Sequence, residues 1–585
     1  MEKRLILFVV LTFAVFFGFQ YIMPKKPQNK PEPPSTAQAE PKTETPAPPA
    51  TAATPTATPA ATAGDEDAAS DSGGATAPTA VADTHAAAQK VVIDGDLYTA
   101  VLDNRGGVLT SWELKGYQTS RKSKDEPRRV FDMITGEAHN GRLYLGSLIL
   151  GDAATETVAN DEYYEVSVEG GGHGPAPEKL APPVKVRLTF KRGDLQLEKV
   201  WSFDKDNYTA DLRLSGTKAG KPLEGRLFLG EDIGPASEHF TSSTSRLAAV
   251  YSLGGKVKRE TPDDPGDLKR FEGDVRWAGL EMQYFSLIAI PSRPLGYFNT
   301  QTVELKEAGL DGDTVKRDLL KVSLPLNPDG GEDYRLYIGP KKQENLQKAG
   351  TDLSGVIDYG MFTILVYPLL TALRWIHQFI HNYGWSIVAL TFALSLVLFP
   401  LRLKSMLSMK KMSAIQPKVK AIQDKYRQYK ATDPRKREMN TEVMALYKEH
   451  GVNPMSGCLP MIIQMPLLFA FYQLLAQSID LRQAPFIWWL QDLSSKDPYY
   501  ILPIAMGLTM FISQKMAPMS PSADPTQAKM MMIMPLFFTF FFFNMSSGLN
   551  LYFLCSNIFQ VTFQKIAERW IPNAAAAPAK KGKGK

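Results

Sequence analysis

The residues of this 585-residue chain that could do chemistry are uncharged polar side chains set into long apolar runs. Thr391 and Ser395 stand four apart in one run. Gln464, Gln473 and Gln477 occupy a second, and Asn550, Asn557, Gln560 and Gln564 a third. Helical spacing places Thr391 with Ser395, Gln473 with Gln477, and Asn557 with Gln560 on shared faces. In hydrocarbon such groups either bond one helix to the next or line a wet polar groove. Both readings stay open from the pattern. The runs carry no formal charge, whereas a pump or ion carrier needs ionisable groups at depth. No HExxH, phosphate loop, nucleophile elbow or well-placed acid pair occurs, so neither enzymatic chemistry nor a cofactor is expected. The glycine run at 170–174 reads as a hairpin tip. His239, with acids nearby, has no second histidine at ligand spacing, so no metal site is expected. Cys458 and Cys555 lie in or beside apolar runs and read as packing residues.

The elements that must hold these groups are helices. Gly384 to Leu401 is eighteen residues without a charge, enough to cross a hydrocarbon layer of about 30 Å. Pro460–Ala476, Tyr500–Ile512, Met530–Met545 and Leu549–Phe563 are further apolar runs. Lipid offers no partners to backbone N–H and C=O groups, so each must be helical. Residues 1–24, behind Lys3 and Arg4, read as an uncleaved N-terminal anchor rather than a signal peptide, since the apolar run is near span length and no small-x-small site follows Met23. The expectation is a multi-domain membrane protein with a polytopic α-helical bundle of six spans and both termini in the cytoplasm.

The rest of the chain divides by composition. Residues 25–89 form an Ala/Pro/Thr-rich linker too poor in apolar groups to fold. Residues 90–340 show short period-two runs between turn signals, which predicts an antiparallel β-sandwich outside the membrane. Residues 341–381 read as an amphipathic helix at the outer membrane surface, with a full span as the alternative, bent or broken at Pro368. The five-span bundle fills 382–570. It includes a basic helical hairpin at 402–451, with Asp433 as N-cap and Pro434 as first residue of its return helix. From Arg402 to Lys448 stand thirteen Lys and Arg against four acids, which places this hairpin in the cytoplasm. Residues 571–585 make a basic cytoplasmic tail. Arg402, Lys410, Lys411, Lys418 and Lys420 are the expected entry and docking residues for an anionic partner such as ribosomal RNA or lipid heads.

Longer motifs carry a resemblance. Asn382-Tyr383-Gly384-Trp385, Phe399-Pro400-Leu401, Ile415-Gln416-Pro417-Lys418 and Leu446-Tyr447-Lys448 are similar to motifs of the YidC-type membrane protein insertases. So are the stretch from Gly451 to Tyr472, Asp497 to Pro503, Met534-Pro535, Gly548-Leu549 to Tyr552, and Trp277 to Pro291. The large outer domain resembles the Gram-negative form of the family, whose periplasmic domain is a β-supersandwich. The resemblance implies an inner-membrane protein that inserts and helps fold nascent membrane proteins, alone or beside the Sec translocon, without nucleotide or cofactor. It implies a hydrophilic groove open to the cytoplasm and to lipid, with ribosomes received by the hairpin and tail. Thr391 matches a groove position, and Tyr552 falls in the last-span motif that contacts substrate. The family usually places an arginine where this chain has Ser395. The expectation is therefore that Ser395, Thr391 and the glutamines suffice. A solute transporter would need broken spans with charges at mid-depth, and a sugar-active enzyme clustered carboxylates; neither pattern is present.

Overall fold

The computed structural model describes residues 86–119, 128–134, 143–169, 179–235, 247–266, 268–308, 314–326, 331–350, 352–429, 433–451, 459–516 and 525–570. The expected N-terminal anchor, the linker up to residue 85, the glycine run, His239, Cys458 and the basic tail lie outside the described residues.

Two antiparallel sheets build the first half. The smaller has four strands in chain order, β1 (Lys90–Asp94), β2 (Tyr98–Asp103), β3 (Val108–Gln118) and β4 (Val130–Asp132). The larger begins with β5 (Leu148–Leu150), β6 (Glu165–Glu169), β7 (Val184–Arg192), β8 (Leu195–Phe203), β9 (Thr209–Lys218), β10 (Lys221–Pro222) and β11 (Gly225–Gly230). It continues with β12 (Ala248–Leu253), β13 (Lys256–Glu260), β14 (Leu268–Glu281), β15 (Phe285–Pro291), β16 (Leu295–Ala308), β17 (Thr314–Pro325) and β18 (Gly331–Pro340). Its path runs β5-β11-β17-β16-β14-β15-β18-β9-β8-β7-β6, with β10 beside β9, and β12 between β13 and β14.

Period-two patterning explains the inward face. In β8 the residues Leu195, Leu197, Lys199, Trp201 and Phe203 are all buried, and the alternate positions face outward. The two sheets share one core. Tyr98 stacks on Trp112 at 3.9 Å, Trp112 lies 6.3 Å from Phe203, and Phe131 of β4 stacks on Phe285 of β15 at 4.1 Å. The turn from β2 to β3 passes through Gly106 at φ 73°, where a Cβ would collide with the Asn160 carbonyl oxygen.

Helices follow. After α1 (Ala153–Asp161), inserted in the β region, come α2 (Gln343–Ala349), α3 (Thr363–Ile380), α4 (Tyr383–Ala414), α5 (Gln416–Lys425) and α6 (Arg435–Glu449). The last four are α7 (Leu459–Gln477), α8 (Ile501–Met516), α9 (Pro525–Phe542) and α10 (Ser547–Trp570). Asn382 caps α4, its Oδ1 accepting from the Trp385 N–H at 3.1 Å. Helix α10 packs on α4 and α8, α9 on α8, and α3 on α4 and α7.

Three expectations change. Pro368 does not break its helix; α3 runs through it, because only the bond to the Ile364 carbonyl is forfeited while Val366, Leu369, Leu370 and Leu373 stay packed. The first arm of the basic hairpin is not one helix to Tyr426 but breaks at Ile415. Its start continues α4 without a break to Ala414, and only α5 and α6 fold back on each other around Met412, Ile415, Val419 and Tyr447. The return helix starts at Arg435 with Pro434 as its N-cap, one residue later than expected.

By length and composition two stretches among the described residues could cross a membrane, Gly360–Ile380 and Tyr383–Ala414. An interfacial position for 341–381 is therefore one of two that its composition allows. Helix α8 and Met532–Phe542 are shorter apolar helices.

Candidate functional site

The site is built from one stripe of α4. Steps of four and seven residues return to the same side of a helix, so Thr391, Ser395 and Arg402 lie in line. Thr391 and Ser395 are 1% and 3% exposed, whereas Val397 on another face is 74% exposed. The stripe thus faces the other helices. The Thr391 hydroxyl donates to the Ile387 carbonyl at 2.6 Å, which satisfies it within its own helix.

Arg402 turns inward. Its Nη2 donates to Gln464 Oε1 on α7 at 2.9 Å, and Gln464 Nε2 donates to the Tyr552 hydroxyl on α10 at 3.1 Å. Tyr552 is 2% exposed, and its ring stacks on Phe471 at 4.1 Å with 13° between the planes. One chain of hydrogen bonds thereby ties three helices. Arg402 Nη1 is buried with no hydrogen-bond partner. No ion pair of Arg402 occurs among the described residues. Burying a guanidinium against a single amide acceptor is costly, so the position is held by its surroundings rather than by charge pairing.

Sequence reasoning placed Arg402 with the entry residues, beyond Pro400. In the structure its guanidinium bonds to Gln464 of α7. Helical side chains lean toward the N-terminus of their helix, the direction in which Ser395 and Thr391 lie on the same face. The seven-residue spacing was the available signal. Of the other expected residues, Gln473 and Asn557 are half-buried and Gln560 is exposed, all outside the Arg402–Gln464–Tyr552 chain. Gln564 and Asn550 serve as ties between elements. Gln564 Nε2 donates to the Met516 carbonyl at 3.2 Å, and Asn550 Nδ2 to the Phe542 carbonyl at 3.2 Å. Lys411, Lys418 and Lys420 are exposed and Lys410 half-buried; Lys418 Nζ lies 3.1 Å from His450 Nε2.

The opposite end of α7 is fastened to the β region, which the sequence did not signal. Gln283 Nε2 donates to the Ala476 carbonyl at 2.6 Å. Arg482 donates to the Gln118 carbonyl at 2.7 Å, and its guanidinium sits 5.3 and 5.2 Å from the Phe131 and Phe285 ring centres. Arg374 of α3 pairs with Asp480 at 2.8 Å nearby.

The described residues thus form a two-sheet β region joined to apolar helices that enclose a short polar chain. Comparison with known proteins gives the class. The family model described as 60Kd inner membrane protein matches residues 375–574, and that of the YidC periplasmic domain matches 90–372. The membrane protein insertase YidC of Syntrophus aciditrophicus is 34% identical over 572 residues, covering 96% of this chain and 98% of that protein. The one from Geotalea daltonii is 32% identical over 594 residues, covering 98% and 100%. A solved structure described as active YidC insertase with the first transmembrane domain resolved covers 82% of this chain and 93% of its own. It has 18% identity and a TM-score of 0.34, and membership does not rest on it. The chain belongs to the YidC membrane protein insertase family, inner-membrane proteins with a periplasmic domain.

Proposed function

We propose that this chain inserts membrane proteins into the inner membrane, using the polar stripe of α4 as a partial crossing path. The observation that carries the reading is the Arg402–Gln464–Tyr552 chain, continued by buried Ser395 and Thr391, inside otherwise apolar helices. An apolar segment entering lipid gains roughly 25 cal/mol per Å² of surface removed from water. The obstacle is the polar flank that must cross with it. A stripe of hydroxyl, amide and guanidinium groups part-way through the layer supplies hydrogen-bond partners and shortens the apolar distance that the flank traverses. The process runs downhill once that barrier falls, and no step in it uses a nucleotide.

In this reading the chain has six spans with both ends in the cytoplasm, and the β region lies in the periplasm. The groove opens to the cytoplasm and to lipid. Exposed Lys411, Lys418 and Lys420 on the basic hairpin support its role as a docking surface for the ribosome and for lipid heads. The nascent chain is the substrate, arriving directly or by way of the Sec translocon.

The test is insertion into liposomes holding only the purified full chain. A short single-span substrate is synthesised in their presence, and protease protection of its outer segment is scored against empty liposomes. Protection that requires the protein is the expected result. Equal protection in empty liposomes sinks the reading.

A further inference from the structure

We infer that Trp488, at the tip of the turn between α7 and α8, anchors the helices in the phospholipid interface at their outer border, and that it sets how deep α4 and α10 sit. The inference rests on α4 being a span and not on insertion.

Three observations carry it. First, the turn throws one large side chain outward. The Leu493 N–H donates to the Ala484 carbonyl at 3.1 Å, the Phe486 N–H to that of Leu490 at 2.8 Å, and the Leu490 N–H to that of Ile487 at 2.7 Å. The backbone thus closes tightly beneath Trp488. Leu490 and Leu493 are buried, whereas Trp488 is 89% exposed. Its φ is 23°, in the region that favours glycine and is an outlier for a bulky residue. Among the described residues five non-glycine positions have positive φ, and Gln483, Trp488 and Tyr500 of this one segment are three of them. A glycine would satisfy the turn at lower cost, so the backbone gives no reason for an indole there. Strain of this kind persists where the side chain itself has a use.

Second, the turn sits at a definite level. Phe486 lies over Gly384, where a Cβ would come to 2.0 Å from its ring, and the Phe486 carbonyl accepts from Asn382 Nδ2 at 3.3 Å. Gly384 opens the uncharged run to Leu401 and so marks the outer edge of the hydrocarbon. Two residues reach at most about 7 Å, which holds Trp488 near that edge. The same segment is fixed to the start of α10, whose Ser547 and Gly548 N–H groups donate to the Ser495 and Leu493 carbonyls at 2.7 and 2.8 Å. Whatever depth Trp488 takes is therefore imposed on α4 and α10. Thr391, seven residues on from Gly384, then lies about 10 Å beneath the border.

Third, the chemistry matches an interface. An indole joins a broad apolar ring to one N–H donor, which suits the boundary where acyl chains meet ester and phosphate oxygens. Trp385, edge-on to Phe486 at 5.3 Å, and Tyr499 and Tyr500 are also exposed, at the first turn of α4 and just before α8. These aromatics come from separate segments along the border. That favours a continuous lipid surface over a protein partner, whose anchor residue would sit within one closed patch.

The experiment reconstitutes the full chain in phosphatidylcholine vesicles whose acyl chains carry bromine either near the glycerol or near the chain end, and reads tryptophan emission. Subtracting the Trp488→Phe variant isolates Trp488 among the 8 tryptophans, and Trp385→Phe isolates a reference at the border. Bromine near the glycerol should quench the Trp488 component about twofold, and bromine near the chain end clearly less, with Trp385 behaving alike. Stronger quenching by the deep bromine overturns the inference, since the ring would then lie in hydrocarbon. A Trp488 component untouched by lipid bromine also overturns it: quenching by aqueous iodide would place the ring in water, and shielding from iodide would mean that protein covers it. Removing the anchor with Trp488→Gly should change the shallow-to-deep quenching ratio of Trp385; an unchanged ratio overturns the claim that Trp488 sets depth. Quenching of Trp385 with none of Trp488 fails only the anchor, whereas loss of quenching for both fails α4 as a span as well.

Discussion

Replacing Lys199 with methionine should flatten the pH dependence of the β region's stability. Lys199 is fully buried, and its Nζ donates to the Gly106 and Gly146 carbonyls, each at 2.6 Å, with the Tyr164 ring centre 5.5 Å away. No carboxylate is among these contacts. Burial pushes the ammonium down from its ordinary 10.5 to about 7. In the unfolded chain the same group keeps its ordinary value, so between about pH 7 and 10.5 the unfolded state holds the extra proton. Stability therefore rises with pH across that window and is lowest at and below its acid edge. At 1.36 kcal/mol per unit the full displacement corresponds to about 5 kcal/mol, an upper bound because the two carbonyls favour the charged form.

In Lys199→Met the proton linkage disappears, while the two carbonyls lose their donor at about 1–3 kcal/mol each. The burial cost removed and the bonds lost nearly offset at pH 7. The gap in favour of wild type then opens toward pH 10. Hydrogen exchange of the peptide spanning Leu195–Phe203 in the full chain, corrected for intrinsic rates and measured at pH 7 to 10, reads this directly. The same slope in wild type and variant would refute the reasoning.

Three further outcomes are expected. Glu281 accepts from Arg259 at 2.6 Å and from Lys341 at 3.1 Å, with both Glu281 and Lys341 buried; Glu281→Ala leaves the Lys341 ammonium its bond to the Met282 carbonyl but no countercharge, and should cost about 3–5 kcal/mol in urea unfolding of the β region. At Gly507 a Cβ would run into Thr539 of α9, so Gly507→Leu should separate α8 from α9 and raise proteolytic sensitivity, with Gly507→Ala partly rescued by Thr539→Ala. Tyr552→Phe keeps the stack on Phe471 and loses only the bond from Gln464; insertion should fall severalfold, consistent with about 1 kcal/mol, whereas Tyr552→Ala should fall further. Equal activity of Phe and Ala variants would show that the ring, not its hydroxyl, has no part in holding the chain.

Much of this molecule is legible along the sequence because its signals are local. Period-two alternation marked β7, β8, β9 and β18, and the uncharged run at Gly384–Leu401 marked the middle of α4. Lys199 shares the buried register of β8 with Leu197 and Trp201. Thr391 and Ser395 were readable as one buried face for the same reason: spacing on a single element fixes which side chains share a side.

What the sequence by itself could not determine is which elements meet. The bond from Arg402 to Gln464 joins residues 62 positions apart, and that from Gln464 to Tyr552 joins residues 88 apart. Composition read Arg402 as one more basic residue beyond Pro400. Its inward turn depends on α7 and α10 lying against that face of α4 and offering an amide where water would otherwise be. The joint of Gln283, Arg482 and Ala476 is equally silent, since a backbone carbonyl as acceptor leaves no mark on residue type. Local periodicity determined the elements and their buried faces; only packing between distant helices decided which polar group each face would find, because that choice is set by distance in space and not along the chain.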